Sequence, residues 1–155
     1  MILHIAADHA GHALKEYLVS VFRKEGYEVT DHGAHAYNKE DDYPDFIYPA
    51  ARAVGEASLK NEDVRGIIIG GSGQGEAMVA NRVLGVRAAV WYGGDRHIPL
   101  LSREHNDANI LSLGARFMDK TLAEDVIKEW LAMPFSNDDR HVRRIKKIDG
   151  DVNNE

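Results

Sequence analysis

The chain has 155 residues and a mass of 17.3 kDa, which is the length of about one domain. Its composition is 44% hydrophobic and 28% charged, with 14 glycines and 4 prolines, and this excludes disordered, collagen-like and coiled-coil proteins. The lack of cysteine excludes disulfides, thiolate metal sites and a cysteine nucleophile. The net charge of −6 argues against a nucleic-acid-binding protein.

Two local features refine this description. Met1 leads into Ile2-Leu3-His4-Ile5 without a basic leader, and no apolar stretch approaches the roughly 18 residues of a membrane helix. We therefore expect no signal peptide, no membrane contact and a cytoplasmic location. Near the other end, residues 140–147 contain five basic side chains in an otherwise acidic chain, which raises the question of the anion that they meet.

Apolar runs of strand length alternate with segments of helical periodicity along the chain. They predict a strand at 2–7, a helix ending near Gly26, a strand at 27–31, a polar loop to Asp42 and a helix from about Pro44. There follow a strand at 66–69, a helix at 77–82, a strand at 86–91, a helix at 98–104, a strand at 110–113, and helices at 122–131 and about 138–148. Thr121 is the expected cap of the fifth helix, and residues 149–155 should fray.

The predicted strands are continuous apolar runs and not alternating ones, so both faces of the sheet should be covered. Five strand–helix alternations with short connections predict a three-layer, doubly wound α/β fold, Rossmann- or flavodoxin-like, with five parallel strands and helices on both faces. No linker interrupts residues 1–148, which we expect to form one domain. In such folds the ligand binds beyond the carboxyl ends of the strands, so the polar residues that follow each strand are the candidates for the site.

A glycine-rich loop, Gly70-Gly71-Ser72-Gly73-Gln74-Gly75, follows the clearest strand and leads into Glu76. The dinucleotide fingerprint fails because Glu76 stands where its last glycine belongs, and the phosphate-binding P-loop fails because Glu76 replaces its lysine. A carboxylate beside a nest of N–H donors fits proton abstraction next to a carbonyl, with the amides stabilising the enediolate oxygen. The alternative is a tight turn in which Glu76 is only a favourable acid in the first turn of a helix.

Other polar residues follow the remaining strands. Asp8 and His9 come after the first strand, and His9 could share a helical face with His12. Residues 102–107, which include His105, follow the fourth strand, and Arg116 follows the fifth. Each of these groups also has a structural interpretation, as a cap, a surface histidine or a charged helix end.

The basic stretch and the histidines offer two further possibilities. Arg140 and Arg144 are four residues apart on one helical face and suit phosphate binding, although a solvated face explains them equally. The pairs His9/His12 and His32/His35 lack a matching acidic cluster, and no H-E-x-x-H motif is present. We therefore expect no metal site.

Five motifs in order resemble the type B ribose-5-phosphate isomerases and their galactose- and allose-phosphate isomerase relatives, over residues 1–148. They are Ala7-Asp8-His9-Ala10-Gly11, Asp42-Tyr43-Pro44-Asp45, the 70–76 loop with Ala80-Asn81-Arg82, Arg103-Glu104-His105-Asn106-Asp107 with Gly114-Ala115-Arg116, and Arg140-His141-Val142-Arg143-Arg144. The resemblance implies an aldose–ketose isomerase that opens a furanose ring and moves a proton between C1 and C2 through an enediolate, without metal or cofactor.

The resemblance also implies residue roles. Gly70 stands where many members carry a cysteine base, whereas Glu76 matches the branch whose base is a glutamate at the end of the loop. His105 would open the ring, and Ser72 would relay protons between the two oxygens. Substrate contacts would come from Asp8 and Tyr43 on sugar hydroxyls, from the amides of Gly71, Gly73 and Gly75 on the anion, and from His9, Arg116, Arg140 and Arg144 on the phosphate. Asn106 would be a further substrate contact.

The family's sites lie at a dimer interface, so the resemblance implies a homodimer, possibly a tetramer, with site residues from both subunits. Residues 92–101 look longer than is usual in the family, which could shift the preference from ribose 5-phosphate to an allose, galactose or tetrose phosphate. A catalytically silent sugar-phosphate sensor on the same fold is a second reading. A nucleotide- or flavin-binding domain is a third, disfavoured by the failed glycine fingerprints.

Overall fold

The computed structural model describes residues 1–150. Its strands are β1 (Ile2–Ala7), β2 (Glu28–Asp31), β3 (Val64–Gly70), β4 (Ala88–Trp91) and β5 (Ile110–Gly114). Its helices are α1 (His12–Lys24), α2 (Pro44–Leu59), α3 (Gln74–Ala80), α4 (His97–Asn106), α5 (Lys120–Ala132) and α6 (Asp139–Gly150), with a 3₁₀ turn at Ala115–Phe117. Among the helices of this described part, none has the length and apolar character needed to cross a bilayer.

The five strands form one sheet in the order β2-β1-β3-β5-β4, and all neighbouring strands are parallel. The predicted three-layer α/β fold is therefore confirmed. The chain steps from β1 to β2 on one side and then crosses to β3 on the other, so the switch point lies between β1 and β3. This geometry brings Asp8 and the glycine loop together at the carboxyl edge of the sheet.

Both faces of the sheet are buried, as the continuous apolar strands predict. Ile67 and Ile69 of β3 pack with residues of α1 and α5, whereas Ile68 packs on the opposite face with residues of α2. All three isoleucines are fully buried, and each contributes about 1.5–3 kcal/mol of hydrophobic stabilisation. The core thus holds β3, and with it the start of the glycine loop, from both sides.

Some boundaries differ from the predictions. Asp119, and not Thr121, caps α5, because its carboxylate accepts a hydrogen bond from the Leu122 N–H at 2.9 Å. The helix after the glycine loop begins at Gln74, inside the loop itself. Helix α6 continues to Gly150, and Asp149, expected in a frayed tail, forms an ion pair of 2.7 Å with Arg87. Residues 151–155 of that predicted tail lie outside the described residues.

Candidate active site

Asp8 is fixed at the switch point by backbone contacts on both sides. Its N–H donates to the carbonyl of Ile69 at 3.3 Å, and its Oδ1 accepts from the N–H groups of Ala10 and Gly11 at 2.9 and 3.1 Å. A Cβ on Gly11 would lie 2.6 Å from the Ile69 carbonyl oxygen, so only glycine lets the start of α1 approach β3 this closely. The Asp8 carboxylate is therefore held rigidly beside the end of β3.

The glycine loop is anchored from the neighbouring strand. The hydroxyl of Ser112 in β5 donates to the Gly73 carbonyl at 2.6 Å, and Ser112 is fully buried. Gly73 has a left-handed φ of 77°, and a Cβ there would lie 2.9 Å from the Leu113 carbonyl carbon. The loop is thus pressed against β5 in a shape that requires glycine, and it turns into the first residues of α3, where N–H groups lack helical partners.

Glu76 is 4% exposed and lies over the end of β3. A Cβ built on Gly70 would stand less than 3.0 Å from both carboxylate oxygens of Glu76, so this carboxylate occupies the space that a side chain at position 70 would fill. Burial raises the pKa of Glu76, a hydrogen bond from its own backbone N–H opposes the shift, and the Asp8 charge adds to it. A buried carboxylate with a raised pKa is suited to general-base work near neutral pH.

Tyr43 and Arg116 enclose the glycine loop. A Cβ on Gly75 would lie 2.8 Å from Cζ of Tyr43, and a Cβ on Gly71 would lie 3.2 Å from the Arg116 guanidinium. The Arg116 backbone N–H also donates to the Gly71 carbonyl at 3.2 Å. The absence of side chains at these two loop positions therefore lets an aromatic ring and a cation lie directly against the loop.

His9 lies between two carboxylates at the same edge. Its Nδ1 is 2.6 Å from Oδ1 of Asp41 and 3.9 Å from Oδ2 of Asp8. The expectation that no acidic cluster surrounds His9 is therefore wrong, because the loop between β2 and α2 brings Asp41 back to it. Ligand atoms of the three residues lie within 4.8 Å of one another, but the shortest contact has the length of a hydrogen bond. His9 also precedes α1, which begins at His12, so the two histidines do not share a helical face.

The remaining predicted residues lie at the opposite edge of the sheet. Helix α4 runs back from the carboxyl end of β4, and the carbonyl of its last residue, Asn106, accepts from Nε of Arg87 at 3.1 Å, just before β4 begins. His105 packs against His141 of α6 with ring centroids 4.4 Å apart. The prediction that residues 102–107 lie beside the carboxyl-edge groups is therefore wrong, because in a single chain they lie at the amino edge.

The separation between the two groups is large for a small ligand. The edges of the sheet are joined by strands such as β5, whose five residues span about 16 Å. One sugar phosphate cannot bridge that distance. The carboxyl-edge half-site comprises Asp8, His9, Tyr43, Gly71, Ser72, Gly73, Gly75, Glu76 and Arg116, and the amino-edge half-site comprises His105, Asn106, Arg140 and Arg144.

Two residues of interest were missed from the sequence. Asp41 directly precedes the Asp42-Tyr43-Pro44 motif, but its partner is 32 positions away, so no local pattern reveals it. His141 lies between the two predicted arginines and is buried, with Nδ1 2.8 Å from the Ser136 hydroxyl. Burial and the neighbouring His105 lower the pKa of His141, which favours a neutral ring there.

Comparison with known proteins identifies the family of this chain. The family model described as ribose/galactose isomerase matches residues 3–148. The chain belongs to the ribose/galactose isomerase family. Ribose-5-phosphate isomerase B of Mycobacterium tuberculosis is 35% identical to it over 145 residues, covering 94% of this chain and 86% of the relative. A putative sugar phosphate isomerase of Bacillus subtilis is 36% identical, covering 96% and 95%.

Solved structures of the ribose/galactose isomerase family share the fold. Ribose-5-phosphate isomerase B of Clostridium thermocellum is 42% identical, with a TM-score of 0.85 over 96% of this chain and 95% of that one. The enzyme of Mycoplasma genitalium with bound ribulose-5-phosphate is 34% identical, with a TM-score of 0.85 over 94% and 92%. The resemblance inferred from five sequence motifs is confirmed at the level of family and fold.

Proposed function

We propose that this family member interconverts ribose 5-phosphate and ribulose 5-phosphate, with Glu76 as the base. The observation that carries the proposal is the position of the Glu76 carboxylate, buried over Gly70 beside Asp8 and the amides of the glycine loop. A base and a set of N–H donors at one place are what an enediolate reaction requires. The names of the relatives, and the ribulose-5-phosphate held by one of them, support this choice of sugar.

The reaction begins with the closed furanose. His105 transfers the proton that opens the ring, while Asp8 and Tyr43 hold sugar hydroxyls and Asn106 contacts the substrate. Glu76 then removes the proton from C2, and the electron pair of that C–H bond forms the C1–C2 double bond of the enediolate. The amides of Gly71, Gly73 and Gly75 stabilise its negative oxygen.

The second half of the reaction reverses these steps at the adjacent carbon. The Ser72 hydroxyl accepts a proton from the oxygen on C2 and gives one to the oxygen on C1. Glu76 returns its proton to C1, which leaves a ketone at C2 and a primary alcohol at C1. The base is thus regenerated, and no metal ion or external redox partner enters the balance.

We further propose that each complete site is shared between two copies of the chain. The carboxyl-edge half-site supplies Glu76 and the anion hole, and the partner's amino-edge half-site would supply ring opening and two of the phosphate-binding arginines. The exposure of Arg140 and Arg144 and the separation of the two half-sites support a homodimer, and a tetramer of two such dimers would keep the same sites. The cytoplasm stays the predicted compartment.

A second candidate substrate deserves a test because of the segment after β4. Tyr92 packs against Phe117 with ring centroids 5.9 Å apart, and both rings are exposed next to the carboxyl edge. Only the first part of residues 92–101 is a loop, since α4 begins at His97. An exposed aromatic pair here could contact a sugar. The pair would then influence how long an aldose phosphate the site accepts.

The decisive experiment follows solvent-proton exchange at C2 by NMR in heavy water, with EDTA present. Ribose 5-phosphate, allose 6-phosphate and a tetrose phosphate are tested in parallel. Exchange with ketose formation on ribose 5-phosphate is the expected result. Exchange only on another aldose would keep the mechanism and move the specificity to the Tyr92–Phe117 pair, whereas loss with EDTA that a divalent ion restores would contradict the metal-free mechanism.

Glu76→Gln separates the isomerase from a silent sugar-phosphate sensor. We expect turnover to fall by about 10²- to 10⁴-fold, the usual effect of losing a general base, while phosphosugar binding persists. Glu62→Gln, which removes an exposed carboxylate outside both half-sites, is the matched control. Wild-type protein that binds ribose 5-phosphate without exchanging any proton would instead support the sensor.

A further inference from the structure

Asp41 joins two segments that form the wall of the carboxyl-edge half-site. Its Oδ1 accepts from the backbone N–H of His9 at 3.2 Å and lies 2.6 Å from the Nδ1 of the same residue. One carboxylate oxygen therefore fixes both the backbone and the ring of His9. The contact spans 32 positions of sequence, so it is built by the fold and not by a local turn.

The Asp41 side chain is only 6% exposed, and its Oδ2 is buried without a hydrogen-bond partner among residues 1–150. Within that range no lysine or arginine forms an ion pair with it, and His9 is the one side chain that it contacts through a hydrogen bond. A buried carboxylate is costly unless a positive or donating group compensates it. The compensating group here is the His9 ring.

This contact also decides what the other ring nitrogen of His9 can do. Since Nδ1 donates its proton to Asp41, Nε2 carries a proton only when the ring is an imidazolium. The His9 side chain is 24% exposed, and Nε2 makes no hydrogen bond within the described residues. The groups that face the ring are the carboxylates of Asp41 and Asp8 and the ring of Tyr37, which stands nearly perpendicular to it with centroids 6.1 Å apart.

We propose that Asp41 is a positioning residue that accepts from Nδ1–H of His9 and so directs Nε2–H of the same ring to the substrate phosphate. The proposal rests on the proposed function, which assigns His9 to the phosphate. The phosphate then meets a ring whose orientation is already fixed by Asp41, so that little ordering of this side chain has to accompany binding. The alternative hypothesis is that Asp8, His9 and Asp41 together bind a metal ion.

Asp41→Asn tests the proposal, because the amide keeps an oxygen for the His9 backbone N–H and removes the charge. We expect KM for ribose 5-phosphate to rise about tenfold, as for loss of a charge-assisted hydrogen bond, with kcat within about twofold of the wild type. The affinity for inorganic phosphate, measured by calorimetry, should fall in parallel. Glu40→Gln removes a charge from the adjacent, exposed position and should change neither quantity.

A ¹⁵N NMR spectrum of the wild-type His9 ring with inorganic phosphate gives a measurement that does not depend on the variant's folding. Two protonated ring nitrogens near pH 7 are expected, and an unprotonated Nε2 in the phosphate complex would overturn the proposal. An unchanged KM in folded Asp41→Asn, or a fall in kcat alone, would also overturn it. So would tight binding of Zn²⁺ or Mn²⁺ that stimulates turnover and needs Asp41. Wild-type protein without isomerase activity would contradict the proposed function, while the phosphate titration would still test Asp41.

Discussion

The two half-sites are built in different ways. At the carboxyl edge, Asp8 and Glu76 are 7% and 4% exposed and are held by strand ends and glycine backbone. At the amino edge, the Arg140 side chain is 61% exposed and its ion pair with Asp138, at 3.5 Å, is a surface contact. The first half-site is therefore preorganised by the core, whereas the second consists of side chains that gain fixed surroundings only against another surface.

In the proposed reaction, this difference separates proton abstraction from ring opening and part of the phosphate binding. The position of the base depends on the packing of a single chain, because the Glu76 carboxylate fills a space that Gly70 leaves open. Ring opening and part of the phosphate binding depend on groups that one chain cannot bring to Glu76. We expect changes at the carboxyl edge to lower kcat within one chain, and changes at the amino edge to act across the interface.

Among changes that leave every assigned side chain in place, the largest effect is expected from Gly70→Ala. The added methyl group would overlap the Glu76 carboxylate, and displacement of a reacting group by about 1 Å costs about 10²-fold in rate. KM should change little because the phosphate-binding residues are not touched. Gly70 is not among the residues with a positive φ, so the backbone tolerates alanine. Gly150→Ala, where a Cβ meets nothing within 4 Å, is the control, and a normal kcat in folded Gly70→Ala would reject Glu76 as the base.

Mixing two inactive variants tests whether the half-sites of different chains combine. Glu76→Gln and His105→Asn should each be nearly inactive, but a heterodimer of the two would contain one site with neither substitution. Random pairing makes half of the dimers mixed, so the unfractionated coexpressed protein should show about a quarter of the wild-type activity, and the mixed dimer purified through two affinity tags about half. Pairing Glu76→Gln with the Glu76→Gln/His105→Asn double variant should restore nothing. No recovery in the first mixture would contradict the shared site.

Much of this arrangement is predictable from the sequence, for reasons that particular residues make clear. Continuous apolar strands such as β3 reveal a sheet covered on both faces, and the glycines before Glu76 reveal a backbone that approaches a ligand. The prediction placed His105 at the wrong edge, although the sequence does contain the right one, because a helix between parallel strands must return to their amino ends. The Asp41–His9 contact does not follow, since it depends on how a loop without periodicity folds back.

Arg140→Ala should weaken substrate binding and leave the chemistry in place. Loss of one charge-assisted contact to phosphate corresponds to a rise in KM of about tenfold, with a smaller change in kcat. Arg143→Ala is the matched control, because Arg143 is exposed on the same helix but is not assigned to the phosphate. Steady-state kinetics with inorganic phosphate as competitor measures both, and an equal effect of the two variants would indicate only general charge at the amino edge.

The smallest expected effect concerns the β1–β2 flank, where Nδ1 of His4 lies 2.7 Å from Nε2 of His32. Burial and the neighbouring His32 lower the pKa of His4 from 6.5 to about 4, and burial also lowers the pKa of His32. The folded protein thus keeps His4 neutral at pH values where the unfolded chain binds a proton. The stability that this provides is complete above about pH 6.5 and is lost as the pH falls towards 4.

We therefore expect the free energy of unfolding to fall by about 1–3 kcal/mol between pH 7.5 and 5 through these two rings. Urea unfolding at both pH values measures the loss, which His4→Asn should reduce by about half. His97→Asn, at an exposed position on α4, should leave it unchanged. An equally steep loss in His4→Asn would assign the acid sensitivity to other groups.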